Sequence, residues 1–293
     1  MTIRDELRAI LETEYGLRPC AGFPSPIVHG ISRDAKIGSG VRFGRDVIIA
    51  EGVEIGEEVQ IGNRVTLRNC RLGDGVRVED GCIIGYETLT GGFSRPFEER
   101  KQILPTVIGA TTLVRTGCVI YQSVTIGEGC WINHDVVLRE HTRIGHHTCI
   151  GTMSDSEGYN TIGSHVLIHS QVHLCARMTI EDYVFVAPFT VFANGNPMGY
   201  AREIESTEEG CTIRFGVQIG VNAVVLPRVI VGYEAWIGPS TVVNRDVPNL
   251  AMVVGSPGRI IGAVPPALRM PLERRRRYYH GADDPPTGTQ VSG

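Results

Sequence analysis

Apolar residues recur every six positions along most of the chain. In register, the hexads VEIGEE and VQIGNR fill 53–64, and further hexads fill 106–153, 160–189 and 217–240. The third residue of a hexad is aliphatic and the first is small or β-branched. The fourth is often glycine, which permits a tight bend between short strands. A short fixed period of this kind predicts a solenoid rather than a closed domain.

Three hexads, or eighteen residues, make one predicted coil. The third position of every hexad between 106 and 195 is apolar except Ser156. Stacked coils bury this column, and parallel strands about 4.8 Å apart satisfy each other's backbone groups. We therefore predict an all-β parallel β-helix of hexapeptide repeats over 31–262. A short N-terminal helix and lead-in precede it at 1–30, and a C-terminal helix or disordered tail follows at 263–293.

Two polar stretches interrupt the repeat. The first spans 88–105 and the second spans 195–211, and both contain proline and glycine between hexads that otherwise stay in phase. We predict that both are loops. Coils need no connector of this length, so long loops in a solenoid indicate a functional role rather than a connection.

Composition and charge narrow the class of protein. The 36 glycines and the 6 % aromatic content suit a chain that turns often and packs small side chains. The net charge of -4 gives no broad basic surface, which argues against nucleic acid or a membrane surface as a partner. The chain has no apolar run of about 18 residues and begins without the order of a signal peptide. We expect a soluble, cytoplasmic protein.

The eight cysteines show no CxxC pair and no spacing typical of a metal site, so we predict no bound metal. Cys82, Cys118 and Cys130 occupy the small first position of their hexads. At such positions a free cysteine behaves as a small hydrophobic residue in a reducing compartment.

Seven of the nine histidines lie between 134 and 173, and eighteen-residue stacking predicts their neighbours. Residues n and n+18 sit on adjacent coils, so Asp155 is predicted beside His173, and Arg139 beside Glu157. A third predicted column contains His141, Tyr159 and Arg177. A fourth contains Glu140, Gly158, Ala176 and Asn194. We expect these polar residues to lie on one edge of the solenoid. The hexad that contains Ser156 lies on the same edge and breaks the apolar pattern. Local departures of this kind are expected near functional sites.

The histidines of this stretch are candidates for acid–base chemistry, because histidine can take up a proton near neutral pH. Where an amine or alcohol is the nucleophile, such a base removes its proton. His169 is the first candidate for the catalytic base, followed by His134 and His173. Asp155, Glu157 and Tyr159 are candidate substrate-binding residues.

The hexads resemble those of the hexapeptide-repeat acyltransferases. This resemblance implies left-handed coils, assembly as a homotrimer, and acetyl-CoA or another acyl-CoA as the donor. Within that superfamily, VFANGNP at 191–197 and GSPGRIIG at 255–262 resemble segments of N-acyltransferases that modify nucleotide-linked amino sugars. The resemblance implies that Asn194 and Asn196 bind the acceptor, and that Arg259 lies near the nucleotide end of CoA. Small residues of the final coils would hold pantetheine: Gly220, Ala223, Gly238 and Ser240.

The expected function is therefore an acyl-CoA-dependent acyltransferase, specifically an N-acetyltransferase for a small polar acceptor. Two alternatives remain open. The segment IHSQVHLC at 168–175 resembles the paired histidine ligands of γ-class carbonic anhydrases, although His169 and His173 are four residues apart rather than five. The other alternative is a non-catalytic β-helix that serves as an assembly scaffold.

Overall fold

The computed structural model describes residues 28–87, 103–195 and 209–271. The chain forms two compact units, an N-terminal unit up to Tyr159 and a C-terminal unit from Asn160. The predicted N-terminal helix, Asn196 and most of both predicted loops lie outside the described residues. The described part of the 263–293 segment contains a 3-10 helix, Pro266–Leu268.

The N-terminal unit contains three sheets whose strands are visited in turn, one strand per hexad. Sheet A contains, in spatial order, β1 (Val28–Ile31), β4 (Val47–Ile49), β7 (Thr66–Leu67), β10 (Ile83–Tyr86), β13 (Val119–Tyr121), β16 (Val137–Leu138) and β19 (Asp155–Ser156). Sheet B contains β2 (Lys36–Ile37), β5 (Glu54–Ile55), β8 (Cys70–Leu72), β11 (Thr106–Ile108), β14 (Thr125–Ile126) and β17 (Arg143–Ile144). Sheet C contains β3 (Arg42–Phe43), β6 (Gln60–Ile61), β9 (Arg77–Val78), β12 (Leu113–Val114), β15 (Trp131–Ile132) and β18 (Cys149–Ile150).

The C-terminal unit repeats this plan with three sheets that we call A′, B′ and C′. Sheet A′ contains β22 (His173–Leu174), β25 (Val191–Phe192), β28 (Val224–Val225) and β31 (Val242–Val243). Sheet B′ contains β20 (Thr161–Ile162), β23 (Thr179–Ile180), β26 (Thr212–Ile213) and β29 (Ile230–Val231). Sheet C′ contains β21 (Leu167–Ile168), β24 (Phe185–Val186), β27 (Gln218–Ile219), β30 (Trp236–Ile237), β32 (Ala251–Val254) and β33 (Arg259–Ala263).

The strand pairs within each unit are parallel, apart from the antiparallel pair of β32 and β33. Most strands cover the second and third positions of their hexads. The third position points inward, as at Ile132, and so does the small first position, as at Cys130, and both are fully buried. Cys82 and Cys118 are likewise buried free thiols. The predicted all-β parallel β-helix is therefore confirmed for the described residues.

The glycine at the fourth position has a different role from the one expected. The left-handed backbone conformation of the coil lies at the sixth position, as at Asp135 (φ 55°) and His147 (φ 53°). A Cβ atom added to the fourth-position Gly109 would lie 2.5 Å from the backbone N of Glu128. Where the fourth residue is glycine, as at Gly109, the close approach of the adjacent coil rather than a bend of the chain accounts for it.

Candidate functional site

A groove of about 400 Å³ lies on sheet C′ of the C-terminal unit. Its side is formed by outward-facing second-position residues that are neighbours in register, Phe185 beside Gln218, Gln218 beside Trp236, and Trp236 beside Met252. Ile261 of β33 closes the groove from the antiparallel strand. Gln218 is the polar side chain among these five, so the groove suits a slender molecule with an apolar body.

Two residues predicted for cofactor binding, Gly220 and Gly238, line this groove. A Cβ atom on Gly220 would lie 2.6 Å from the backbone N of Pro239. On Gly238 it would lie 2.7 Å from Cγ1 of Val254, which is the end of a side chain. The absence of side chains at these two positions leaves the groove open along the corner that follows sheet C′.

The other three predicted cofactor residues lie elsewhere. Ala223 is fully buried, so its methyl group faces the core rather than a surface. Ser240 is exposed at a sixth position and accepts a hydrogen bond from Nδ2 of Asn222 at 3.2 Å. Arg259 is exposed at the start of β33, where it is paired with Val254.

His169 lies on the same corner of the C-terminal unit as the two groove glycines. The backbone N–H of His169 donates to Val186 O, that of Ala187 to Ile219 O, and that of Gly220 to Ile237 O. His169, Ala187, Gly220 and Gly238 therefore form one column of fourth-position residues. The imidazole is exposed, and its Nδ1 accepts a hydrogen bond from the backbone N–H of Ser170 at 2.8 Å. In this orientation a neutral ring carries its proton on Nε2.

His173 and Asn194 do not share that corner. His173 lies at the second position of its hexad, on the outer face of sheet A′, and is paired with Val191. Asn194 follows β25 at the fifth position, on the corner after sheet A′. The expectation that His169, His173 and Asn194 share one ridge is therefore wrong. The three residues occupy different positions of their hexads and so lie on different sides of the coil.

The remaining predicted residues belong to the N-terminal unit. Asp155 lies on the outer face of sheet A, in register with Val137. The Tyr159 ring lies against that of His141, with centroids 4.7 Å apart and ring planes tilted by 33°, as the eighteen-residue offset predicts. His134 follows β15 on the corner after sheet C and is half-buried. Its side chain makes no hydrogen bond to any described residue.

The predicted pairing of Arg139 with Glu157 is replaced by another ion pair. Two of the three guanidinium nitrogens of Arg139, Nε and Nη2, each donate to the carboxylate of Glu140 at 3.2 Å. The Glu140 side chain is only 7 % exposed, so this pair places a carboxylate inside the N-terminal unit. Glu157 is half-buried at the fourth position, one coil from Arg139. Arg139 therefore binds the carboxylate of its sequence neighbour Glu140 rather than that of Glu157 on the adjacent coil.

The irregular hexad around Ser156 has its hydroxyl groups in the interior. Ser156 is buried, and its Oγ lies 2.9 Å from Oγ1 of the buried Thr142. The two hydroxyl groups satisfy each other within the core. Ser156 is therefore not available to a ligand on the surface.

Sequence reasoning missed several residues of the groove, including Phe185, Trp236, Met252 and Ile261. The available signal was the run of large apolar residues at the outward second position, where a solvated residue is usual. Among the described residues, no cluster of three or more His, Cys, Asp or Glu side chains could hold a metal ion. None of the described segments contains a helix whose length and hydropathy suit a bilayer crossing.

Comparisons with known proteins agree with the repeat. Residues 34–69 match the family model "Bacterial transferase hexapeptide (six repeats)". The chain is 40 % identical over 52 residues to dTDP-3-amino-3,6-dideoxy-alpha-D-galactopyranose 3-N-acetyltransferase from Aneurinibacillus thermoaerophilus, covering 18 % of this chain and 27 % of that enzyme. It is 37 % identical over 83 residues to serine acetyltransferase from Haemophilus influenzae, covering 27 % and 29 % of the two chains.

Among solved structures, a hexapeptide-repeat acetyltransferase from Vibrio cholerae, complexed with acetyl coenzyme A, is 30 % identical. The likeness covers 42 % of this chain and 70 % of that chain, with a TM-score of 0.38. The chain spans about half or less of the length of the curated relatives it matches, 27 % of one and 45 % of another. The expected resemblance is confirmed: the chain carries the hexapeptide repeat of the bacterial transferases and is similar to acetyltransferases built on it.

Proposed function

We propose that this protein is an acyl-CoA-dependent acyltransferase that acetylates the amino group of a nucleotide-linked sugar. The observation that carries the proposal is the groove on sheet C′, which is apolar, open at Gly220 and Gly238, and continuous with the corner that holds His169. The similarity to a nucleotide-sugar N-acetyltransferase and to serine acetyltransferase supports acetyl-CoA as the donor.

The dimensions of the corner support this placement of the donor. His169 is two rungs from Gly220, which corresponds to roughly 10 Å at the spacing of parallel strands. An extended pantetheine arm that follows the corner past Gly238 and Gly220 would bring its thioester toward His169. Trp236 and Met252 would cover the apolar part of the arm, and Arg259 would lie toward the phosphates of CoA.

In the proposed reaction the acceptor nitrogen attacks the thioester carbonyl. The new C–N bond forms, the C–S bond breaks, and CoA leaves as the thiolate, which becomes the thiol when His169 passes on the proton that it has taken from the acceptor nitrogen. His169 takes the proton that the acceptor nitrogen loses, and it must do so through a nitrogen that carries no proton. The contact between His169 Nδ1 and the Ser170 N–H therefore opens, and the tautomer protonated on Nδ1 presents Nε2 to the acceptor.

The position of the proposed acceptor residues is the reason for proposing a homotrimer. Asn194, proposed together with Asn196 to bind the acceptor, lies on a different corner of the C-terminal unit from His169. Cyclic assembly of three copies would set the corner after sheet A′ of one copy against the groove of the next. Asp155, Glu157 and Tyr159 remain proposed acceptor residues. Left-handed coils, as in the hexapeptide-repeat transferases, are part of the same proposal.

Substitution of His169 tests the proposed base. We expect His169→Ala and His169→Gln to lose turnover by roughly 100-fold or more while the KM for acetyl-CoA changes little. Glutamine keeps a hydrogen-bond donor but cannot take up a proton. Near-normal turnover in His169→Gln would contradict a role as base, and His134→Gln and His173→Gln test the other two candidates in the same assay.

Binding of the donor is tested separately from catalysis. CoA that binds only the folded protein should raise its melting temperature, and Trp236→Ala should reduce that rise. Leu268→Ala is a matched control, since Leu268 is an exposed apolar residue of the C-terminal unit that does not line the groove. Absence of any stabilisation by CoA would overturn the proposed function.

A further inference from the structure

The first three coils of the N-terminal unit carry two columns of polar side chains at equivalent second positions. On sheet B the column is Lys36, Glu54 and Arg71, which are neighbours in register. Nζ of Lys36 lies 2.9 Å from one carboxylate oxygen of Glu54, and Nε of Arg71 lies 3.2 Å from the other. These contacts lower the pKa of Glu54, chiefly through the hydrogen bond from Lys36. On this face the chain supplies the anion that its two cations need.

The equivalent column on sheet C lacks that anion. Arg42, Gln60 and Arg77 are neighbours in register on the same three coils. Gln60 stands where sheet B has its glutamate, and an amide cannot neutralise two guanidinium groups. Among the described residues, neither arginine forms an ion pair or a side-chain hydrogen bond. The next outward residue on sheet C is Leu113, in register with Arg77, so the cationic column ends there.

A pocket adjoins this column. It has a volume of about 220 Å³ and is lined by Gln60 and Arg77 together with the corner glycines Gly44 and Gly62. A water molecule occupies about 30 Å³ in the liquid, so the pocket has room for a small oxyanion with part of its hydration shell. A Cβ atom on Gly44 would lie 2.5 Å from the backbone C of Gly62, so this corner remains without side chains.

Two carboxylates also line the pocket, and both are bonded to the protein. Glu79 Oε2 accepts from the N–H and Oγ1 of Thr116 at 3.3 Å and 3.4 Å. Asp80 accepts from the backbone N–H and from Nδ2 of Asn63 at 2.8 Å and 2.9 Å. Their hydrogen bonds direct them along the corner toward Thr116 and Asn63, whereas the guanidinium groups lie on the outer face of the sheet.

We propose that Arg42, Gln60 and Arg77 form a binding site for a phosphate group of a small molecule. The phosphate lies in the pocket beside Gln60 and supplies the negative charge that the Glu54 carboxylate supplies on sheet B, with Arg42 and Arg77 one rung from Gln60 on either side. The guanidinium groups donate charge-assisted hydrogen bonds, and the Gln60 amide donates a third contact. The site belongs to the first three coils and does not depend on the groove of the C-terminal unit or on acyl transfer.

The test is isothermal titration of the full chain at constant ionic strength with inorganic phosphate, uridine diphosphate and adenosine 3′,5′-bisphosphate. We expect saturable binding of phosphate, weakened by roughly tenfold or more in Arg77→Gln and in Arg42→Gln. Gln60→Glu should abolish it, because the variant supplies its own anion as sheet B does. Arg71→Gln on sheet B is the matched control and should bind phosphate as the parent protein does.

The outcomes separate the sources of the phosphate group and the two proposals. Equal affinity for all three probes indicates a site for the free anion, whereas tighter binding of one nucleotide identifies that ligand class. In both cases the two arginine variants must lose binding. Absence of saturable binding, or Gln60→Glu binding as well as the parent, would overturn the site. If CoA still stabilises the Arg77→Gln protein, binding of CoA does not depend on the phosphate site, and the acyltransferase proposal stands or fails independently of that site.

Discussion

Substitution of Gly109 by alanine tests why the fourth position of the hexad carries glycine. The added Cβ would lie 2.5 Å from the backbone N of Glu128 and from the backbone C of Gly127 on the adjacent coil. Ordinary Cβ contacts begin at 3.4 Å, so the coils would have to separate by about 0.9 Å (3.4 − 2.5). Backbone atoms cannot rotate away as a side chain can, so the separation also strains the hydrogen bond from Gly109 N–H to Ile126 O.

Overpacking of this kind costs about 1–3 kcal/mol. At roughly 2–4 °C per kcal/mol, the melting temperature of Gly109→Ala should fall by several degrees. The matched control is Gly81→Asn, at a sixth position with φ +70° and nothing within 4 Å of the added Cβ. Asparagine tolerates the left-handed conformation, so this variant should melt close to the parent.

Both variants are compared by thermal unfolding followed by circular dichroism. A Gly109→Ala protein that melts with the parent, together with a Gly81→Asn protein that melts several degrees lower, would refute the reasoning. That result would mean that glycine serves the bend rather than the close approach of coils.

Two further predictions concern charge and pH. Arg139→Met should lower the free energy of unfolding on the order of 2 kcal/mol in urea, because it leaves the buried Glu140 without its guanidinium partner. Arg71→Met should lower it by much less than Arg139→Met does, because solvent screens the Arg71 and Glu54 side chains, which are 58 % and 38 % exposed, and an equal loss in both variants would contradict this account. Burial raises the pKa of the Cys70 thiol to about 12 from 9.0, so the stability it contributes is intact below pH 9 and is lost as the pH rises toward 12. Cys70→Val should therefore lose less unfolding free energy between about pH 8 and about pH 10.5 than the parent does, and an identical loss would refute the assignment.

The fold was predictable because the period of six acts directly on burial. An aliphatic third position, such as Ile132, must face the interior of every coil, and stacking then follows from backbone hydrogen bonding. The cause assigned to the fourth-position glycine was not predictable from composition alone. Both a bend and a close contact select glycine, and only the backbone angles at Asp135 and the contacts of Gly109 separate the two.

The candidate site was predictable in part. Gly220 and Gly238 were chosen as small residues of the final coils, and both line the groove on sheet C′. Trp236 is not predicted, because the repeat constrains the inward positions of the hexad and Trp236 occupies the outward second position. The pairing of Arg139 depended on side-chain torsions, which an offset of eighteen residues does not determine.

The positions of His169 and His173 carry a general lesson about solenoids. The two residues are four positions apart in the sequence, but His169 is the fourth residue of its hexad and His173 is the second residue of the next. They therefore face different directions. Sequence proximity was a poorer guide than phase. The hexad phase, which the sequence itself gives, groups His169 with Ala187 and Gly220 rather than with His173.

The antiparallel strand β33 has a consequence for the final coils beyond the groove. A stack of parallel strands ends in a row of unpaired N–H and C=O groups, which can recruit another chain into a growing fibre. Because β33 folds back on β32, the terminal edge of sheet C′ is occupied by the chain itself and runs in a direction that a further coil could not extend. The fold-back therefore prevents a further parallel coil from pairing with β32 on sheet C′.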